Sequence, residues 1–272
     1  MPTRRCFRTD VEALAKEWRE GGPLTSGTWT ASGNPGAKGG EAQGFFVNSD
    51  GLTGYAKPSK KRKNPDEPPR AAHEKIASDL AYDLELPIPP VRLWKRAASV
   101  PDDECCCAIS LVPFRPAHKW GIIENVPDAA QRVRDAISDA ASAMSVFDTW
   151  VDNQDRMNPG NLLVNEDLTG GIIRYAYIDY AYSLSYGWRD GPAPAVARVV
   201  GPYPANIKPN TDVIAETVTA IETLPEQNIR DIVSRVSDDF ITPVRRAAII
   251  EGLLQRRGGL RGAMRQTYGA PL

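Results

Sequence analysis

The sequence predicts an α+β fold with a sheet-bearing N-terminal half and a mostly helical C-terminal half. Three observations carry this. Short apolar runs punctuated by Gly, Asn, Asp and Pro surround one helix up to residue 112, a longer helix spans 128–151, and beyond a small hairpin the chain reads as helix to its end.

Taken in order, residues 9–20 form a helix with Thr9 as cap and Val11, Leu14 and Trp18 on one face. Glycines recur from Gly21 to Gly44, which marks a loop or a twisted hairpin. Phe45–Val47 and Leu52–Lys57 flank the turn Asn48-Ser49-Asp50-Gly51, so 42–57 reads as a β-hairpin. The charged, proline-rich stretch 58–70 reads as a mobile surface loop. Ala72, Ile76, Leu80 and Leu84 give an amphipathic helix over 71–85, stopped by the prolines of 86–90. Val91–Lys95 and Cys105–Val112 read as two further strands around a polar turn. In the helix 128–151, Val133, Ile137, Ala140, Met144, Phe147 and Val151 follow spacings of four and three. A polar stretch, 152–160, precedes a hairpin of Leu162–Val164 and Ile172–Ile178. Residues 187–211 are rich in Gly, Pro and Asn, and helices follow at roughly 212–224, 226–237 and 242–256.

Bulk properties exclude several functions. Lysine and arginine (33) balance aspartate and glutamate (34), so no global field draws the chain to nucleic acid or an anionic membrane. No apolar stretch approaches the length of a membrane span, and the charged N-terminus lacks the apolar core of a signal peptide. The cysteines are Cys6 and the consecutive Cys105, Cys106 and Cys107, a spacing that suits neither a disulfide framework nor a zinc site. Reduced thiols in a strand, and a cytoplasmic location, are expected. The two histidines, His73 and His118, read as surface or capping residues, and the arginines after 244 as the wet face of a helix.

The chemistry concentrates at 147–180. A long helix gives way to a loop holding Asp152, Asn153, Asp155, Arg156, Asn158 and Asn161, and an apolar strand begins at once. The next hairpin returns Asp179 towards that loop. Two carboxylates and an amide at the ends of paired strands form a plausible magnesium cradle, because magnesium prefers oxygen ligands and readily shares itself with phosphates.

Asn153-x-Asp155-Arg156, four residues, Asn161-Leu162-Leu163-Val164, then Ile178-Asp179-Tyr180 resembles the HipA-like kinases and, more distantly, the phosphatidylinositol kinases. The resemblance spans roughly residues 40–185. It implies a two-lobed protein-kinase-like catalytic domain, with an N-lobe of about 1–113 and a C-lobe of about 114–272. It further implies Asp155 as the catalytic carboxylate, with Asn161 and Asp179 as metal ligands. Lys57 would hold the ATP phosphates, Glu74 would orient it, Gly39 and Gly40 would cover the phosphates, and Ser110–Phe114 would meet adenine.

Two departures are visible. The family asparagine stands five positions after the aspartate, where this chain has Gly160, so Asn158 competes with Asn161; and Met157 replaces the family's catalytic-loop histidine. The expected activity is transfer of the γ-phosphate of Mg-ATP to a hydroxyl of an unknown protein or small-molecule acceptor. The alternatives are nucleotide binding without transfer, transfer of AMP, and a non-catalytic interaction module using the basic loop 58–63 or the arginine-rich tail.

Overall fold

The computed structural model describes residues 7–25, 29–35, 44–59, 68–96, 106–165, 172–189, 195–196 and 198–269, with backbone alone at 33–35. The glycines expected to cover phosphate, Gly39 and Gly40, lie outside these residues, as do Cys6, Cys105 and most of the basic loop.

The N-terminal lobe is a six-stranded sheet with two helices. Its strands are β1 (Leu24–Thr25), β2 (Thr30–Pro35), β3 (Phe45–Ser49), β4 (Leu52–Pro58), β5 (Val91–Lys95) and β6 (Cys106–Leu111), in the order β1-β5-β6-β4-β3-β2. Among the described residues of this sheet only the β1/β5 pairing is parallel. The glycine-rich stretch therefore contributes two strands. Ser49 pairs with Leu52, and the intervening Asp50 and Gly51 have φ of 48° and 80°. This is the mirror-image turn whose twist matches that of the flanking strands, and Asp-Gly suits it.

Helix α1 (Thr9–Glu20) buries Val11, Ala15 and Trp18, and α2 (Arg70–Asp83) follows the basic loop. Here the structure corrects the sequence reading twice. Pro68, Pro69 and Arg70 are buried rather than part of a surface loop, and every residue from Arg70 to Ala81 is buried, so α2 is enclosed on all sides instead of amphipathic. Strands β4, β5 and β6, helix α1 and a C-lobe helix (Glu226–Ser234) all pack against it. Its polar residues are consumed by these neighbours. The Lys75 ammonium bonds to Trp18 O at 2.9 Å, Arg19 O at 3.0 Å and Asp79 at 2.8 Å, tying the open carbonyl end of α1 to α2. Helix α2 ends in a Schellman motif: Leu86 N–H donates to Ala81 O, and Glu85 N–H to Tyr82 O, with Glu85 at φ 55°.

Burial pushes the Asp79 carboxyl up to about 6 against the pull of Lys75, and burial also lowers Lys75. The folded protein therefore holds the Asp79 proton more tightly than the unfolded chain. The associated stability is present below an ordinary carboxylate pKa and is lost as pH rises through about 6. Wild type should gain stability relative to Asp79→Asn on acidification from pH ~7 to ~5, by an amount on the order of 1–2 kcal/mol. Parallel denaturation midpoints for the two proteins across that window would refute this.

The C-terminal lobe contains α3 (Trp120–Ile123), α4 (Pro127–Trp150), α5 (Thr211–Thr223), α6 (Glu226–Ser234) and α7 (Pro243–Tyr268). A three-stranded antiparallel sheet of β7 (His118–Lys119), β8 (Leu162–Asn165) and β9 (Arg174–Tyr177) carries the loop between α4 and β8. Strand β7 and α3 were not anticipated; at two and four residues they are too short to show a period. The last helix runs twelve residues beyond the expected end at 256. Gly258 and Gly259 do not stop it, since neither adopts positive φ.

Arg256, expected on a wet face, is 2% exposed. It donates to Trp150 O at 2.9 Å and to Thr149 O at 2.5 Å, capping the C-terminus of α4. In return Trp150 Nε1 donates to Leu253 O. Helix α4 is thus fixed at the end from which the functional loop departs. Among the described residues no helix is long and apolar enough to cross a membrane. Cys106 and Cys107 lie in β6.

Candidate active site

Strand β4 lies between β3 and β6, and its alternation separates two faces. Gly54 and Ala56 are buried on the outer face, where a Cβ at Gly54 would stand 2.4 Å from Ile109 and 3.2 Å from Trp29. The neighbouring side chains therefore require glycine there. Tyr55 and Lys57 occupy the opposite face. Lys57, expected to hold the ATP phosphates, is only 16% exposed. Its ammonium lies 2.7 Å from Glu74 on α2 and 3.0 Å from Asp179 beyond β9. One cation thus joins a strand and a helix of the first lobe to a strand end of the second.

The electrostatics assign the charges. Burial alone would lower the pKa of Lys57, but the Asp179 and Glu74 carboxylates outweigh it and push it up. Burial pushes Glu74 up, opposed by Lys57. Burial would raise Asp179 too, but Lys57 and the Ala181 N–H bring it below the usual carboxylate range.

The second part of the site is the loop after α4. That helix also ends in a Schellman motif: Asn153 N–H donates to Asp148 O, Asp152 N–H to Thr149 O, and Asp152 sits at φ 55°. Asn153 is buried and donates from Nδ2 to Asp148, while its Oδ1 accepts from Asp155 N–H at 3.2 Å. Asp155 is only half-buried.

The two asparagines are placed differently. Asn158 is exposed, and its Oδ1 accepts from Gly160 N–H at 2.9 Å, closing the Pro159-Gly160 turn. Asn161 is 3% exposed and donates from Nδ2 to both Asp155 O (2.8 Å) and Asp155 Oδ2 (3.0 Å). With both amide hydrogens committed, its carbonyl oxygen is the atom that remains to meet a cation.

Backbone and one buried arginine join the two halves of the site. Ile178 N–H donates to Asn161 O at 3.0 Å, one step beyond the Leu162/Tyr177 pairing. The Arg156 guanidinium, 1% exposed, pairs with Asp148 at 2.6 Å and donates to Asn161 O (2.9 Å) and Ile178 O (3.2 Å). It also lies 5.3 Å from the Tyr177 ring and 5.0 Å from the Tyr180 ring. Tyr177 N–H donates to Pro87 O, fastening the end of β9 to the segment following α2. Asp179 itself adopts φ 67°.

The structure therefore brings Lys57, Glu74 and Asp179 into contact, and Asp155 and Asn161 into contact, and it sets the two groups side by side. Within Ser110–Phe114, Val112 N–H is taken by Thr53 O and Pro113 O by Arg8 N–H. Reading the sequence missed Asp148 and His73. Asp148 was the lone charge in the apolar and small-residue run 140–151, a signal in hindsight. His73, expected at the surface, is fully buried. His118 is partly exposed on β7.

The donor set fits magnesium held jointly with phosphate: one ionised carboxylate and one oriented amide oxygen. Among the described residues there is no cluster of three His, Cys, Asp or Glu that could hold a metal by itself.

In overall fold the chain is similar to the Helicobacter pylori proinflammatory kinase CtkA, with a TM-score of 0.64 and 13% identity, covering 92% of this chain and 99% of that one. It is also similar to a Golgi casein kinase solved with Mn and ADP bound, with a TM-score of 0.50 and 11% identity, covering 98% of this chain and 80% of that one. No protein-family model and no curated protein sequence matches. At such identities the likeness establishes the fold, a kinase fold with a sheet-bearing lobe and a helical lobe.

Proposed function

We propose that this chain is an ATP-dependent phosphotransferase of the HipA-like group, moving the γ-phosphate of Mg-ATP to a hydroxyl, with a protein serine or threonine as the favoured acceptor. The observation that carries the reading is the Lys57 ammonium bonded at once to Glu74 and Asp179. Phosphoryl transfer depends on positioning and charge more than on covalent chemistry. It needs a cation on the phosphates, and this ammonium is fixed by two carboxylates from different lobes. Asn161 Oδ1 and the Asp179 carboxylate would hold magnesium, which when bound neutralises charge on the phosphates. Asp155 would accept the acceptor's hydroxyl proton as the new P–O bond forms and the bond to ADP breaks. The motif of the HipA-like kinases supports the finer family assignment, and the kinase-fold neighbours support the coarser one.

The test is incubation with ATP labelled at the α or at the γ position. Transfer of γ-label alone, reduced at least ~100-fold in Lys57→Met, is the expected result. Label arriving from the α position would replace this reading with AMP transfer. Equal γ-labelling by wild type and Lys57→Met would end it.

A further inference from the structure

The segment carrying Asp179 is docked along the first turn of α2, step by step. Arg70 donates to the Tyr182 hydroxyl at 2.7 Å, and its guanidinium lies 5.2 Å from that ring. His73 Nδ1 meets Ala181 O at 3.2 Å. The Tyr180 N–H is near enough to Glu74 to act against the upward push of burial on its carboxyl. As α2 advances from 70 to 74, the segment runs back from 182 to 180.

The His73 contact has a particular consequence. A carbonyl only accepts, so Nδ1 must carry the proton in this bond. His73 thus fixes the Ala181 carbonyl two residues beyond Asp179, and the Ala181 N–H is among the groups that hold the Asp179 carboxyl below the usual carboxylate range. Asp179 needs such support, because a non-glycine residue at φ 67° is in a conformation that costs on its own and persists where the surroundings impose it. The imidazole is fully buried in the enclosed face of α2 and cannot drift from its place.

We propose that His73 is a positioning residue for the carboxylate of Asp179, acting through Ala181 and touching neither nucleotide nor metal. The inference rests on the reading of Asp179 as a ligand of nucleotide-bound magnesium. A space-filling role alone would be met by any side chain of similar volume. A positioning role requires a donor where Nδ1–H stands. His73→Leu removes the donor, whereas His73→Asn supplies an amide N–H close to that position.

Two measurements on the full chain decide it. Calorimetric titration with ATP, in magnesium and separately in EDTA, should show His73→Leu weakening Mg-ATP binding by about tenfold, the worth of one buried hydrogen bond, with ATP binding in EDTA changed less than ~2-fold. His73→Asn should stay within ~3-fold of wild type in both. Hydrogen exchange should show lost protection at the amides of 180–183 in His73→Leu and not in His73→Asn. The proposal is overturned if His73→Leu binds Mg-ATP as wild type does, or if both variants weaken binding equally with and without metal. Should wild type itself bind no nucleotide, the functional reading falls and this inference falls with it. If wild type binds and the leucine variant is indistinguishable from it, the functional reading stands and this inference alone is lost.

Discussion

Asp155→Asn should lower the rate of γ-phosphate transfer by about three orders of magnitude while leaving stability within ~1 kcal/mol of wild type. The separation of the two effects follows from the loop's construction. Asp155 contributes to the fold mainly through its backbone: its N–H donates to Asn153 Oδ1, and its carbonyl accepts from Asn161 Nδ2. The substitution leaves both in place. On the side chain, Oδ2 accepts from Asn161 at 3.0 Å, and asparagine can present its own carbonyl oxygen there. What asparagine cannot do is take a proton from a hydroxyl at neutral pH. A general base supplies roughly 10²–10⁴ in rate. Single-turnover labelling with γ-labelled ATP, beside a urea denaturation curve, measures both quantities. Near-normal transfer with an unchanged denaturation curve would remove Asp155 from its assigned role.

Much of this site was legible in the sequence because its parts stand where elements end. Asp155 and Asn161 bracket the passage from a strongly periodic helix to an apolar strand, and Asp179 closes the hairpin that follows. Lys57 stands near the end of a strand introduced by an Asp-Gly turn. Such junctions can be read from local pattern. The unanticipated parts depend on what packs against what. Nothing in the sequence of α2 shows that the face opposite its Ala72–Ile76–Leu80 stripe is also covered, because the covering comes from α1, the sheet, α6 and the 179–182 segment. His73 therefore looked solvent-facing and proved buried. Arg256 was misread for the same reason: its partners, the last carbonyls of α4, lie more than a hundred residues away. Asn158 and Asn161 could not be separated by counting, since the choice turns on Gly160 N–H closing back on Asn158.

The largest stability effect is expected at Arg156. Its guanidinium and the Asp148 carboxylate are each 1% exposed, so neither charge can turn to water if the other is removed. Breaking such a pair from one side leaves a buried charge uncompensated and typically costs 3–5 kcal/mol. Arg156→Met should fall in about that range, since methionine fills much of the volume but offers nothing to Asp148, Asn161 O or Ile178 O. Asp148→Asn should cost less, because the amide oxygen still receives one guanidinium N–H, although its amide hydrogens then face the Asn153 amide group that now donates to Asp148. Losing both charges together should destabilise by clearly less than the sum of the single losses, because the second substitution removes the charge stranded by the first. A double-mutant cycle in urea measures this coupling. If the single losses are each below about 1 kcal/mol and simply add, then the pair does not organise the loop. The position of Arg156 makes the result informative about catalysis as well as folding. The same guanidinium that neutralises Asp148 holds the carbonyls of Asn161 and Ile178, the residues immediately at and before the two proposed metal ligands. In Arg156→Met, therefore, magnesium-dependent ATP binding should weaken even under conditions where the variant remains fully folded. A fully folded variant with unaltered binding would show that the ligands are placed by their strands alone.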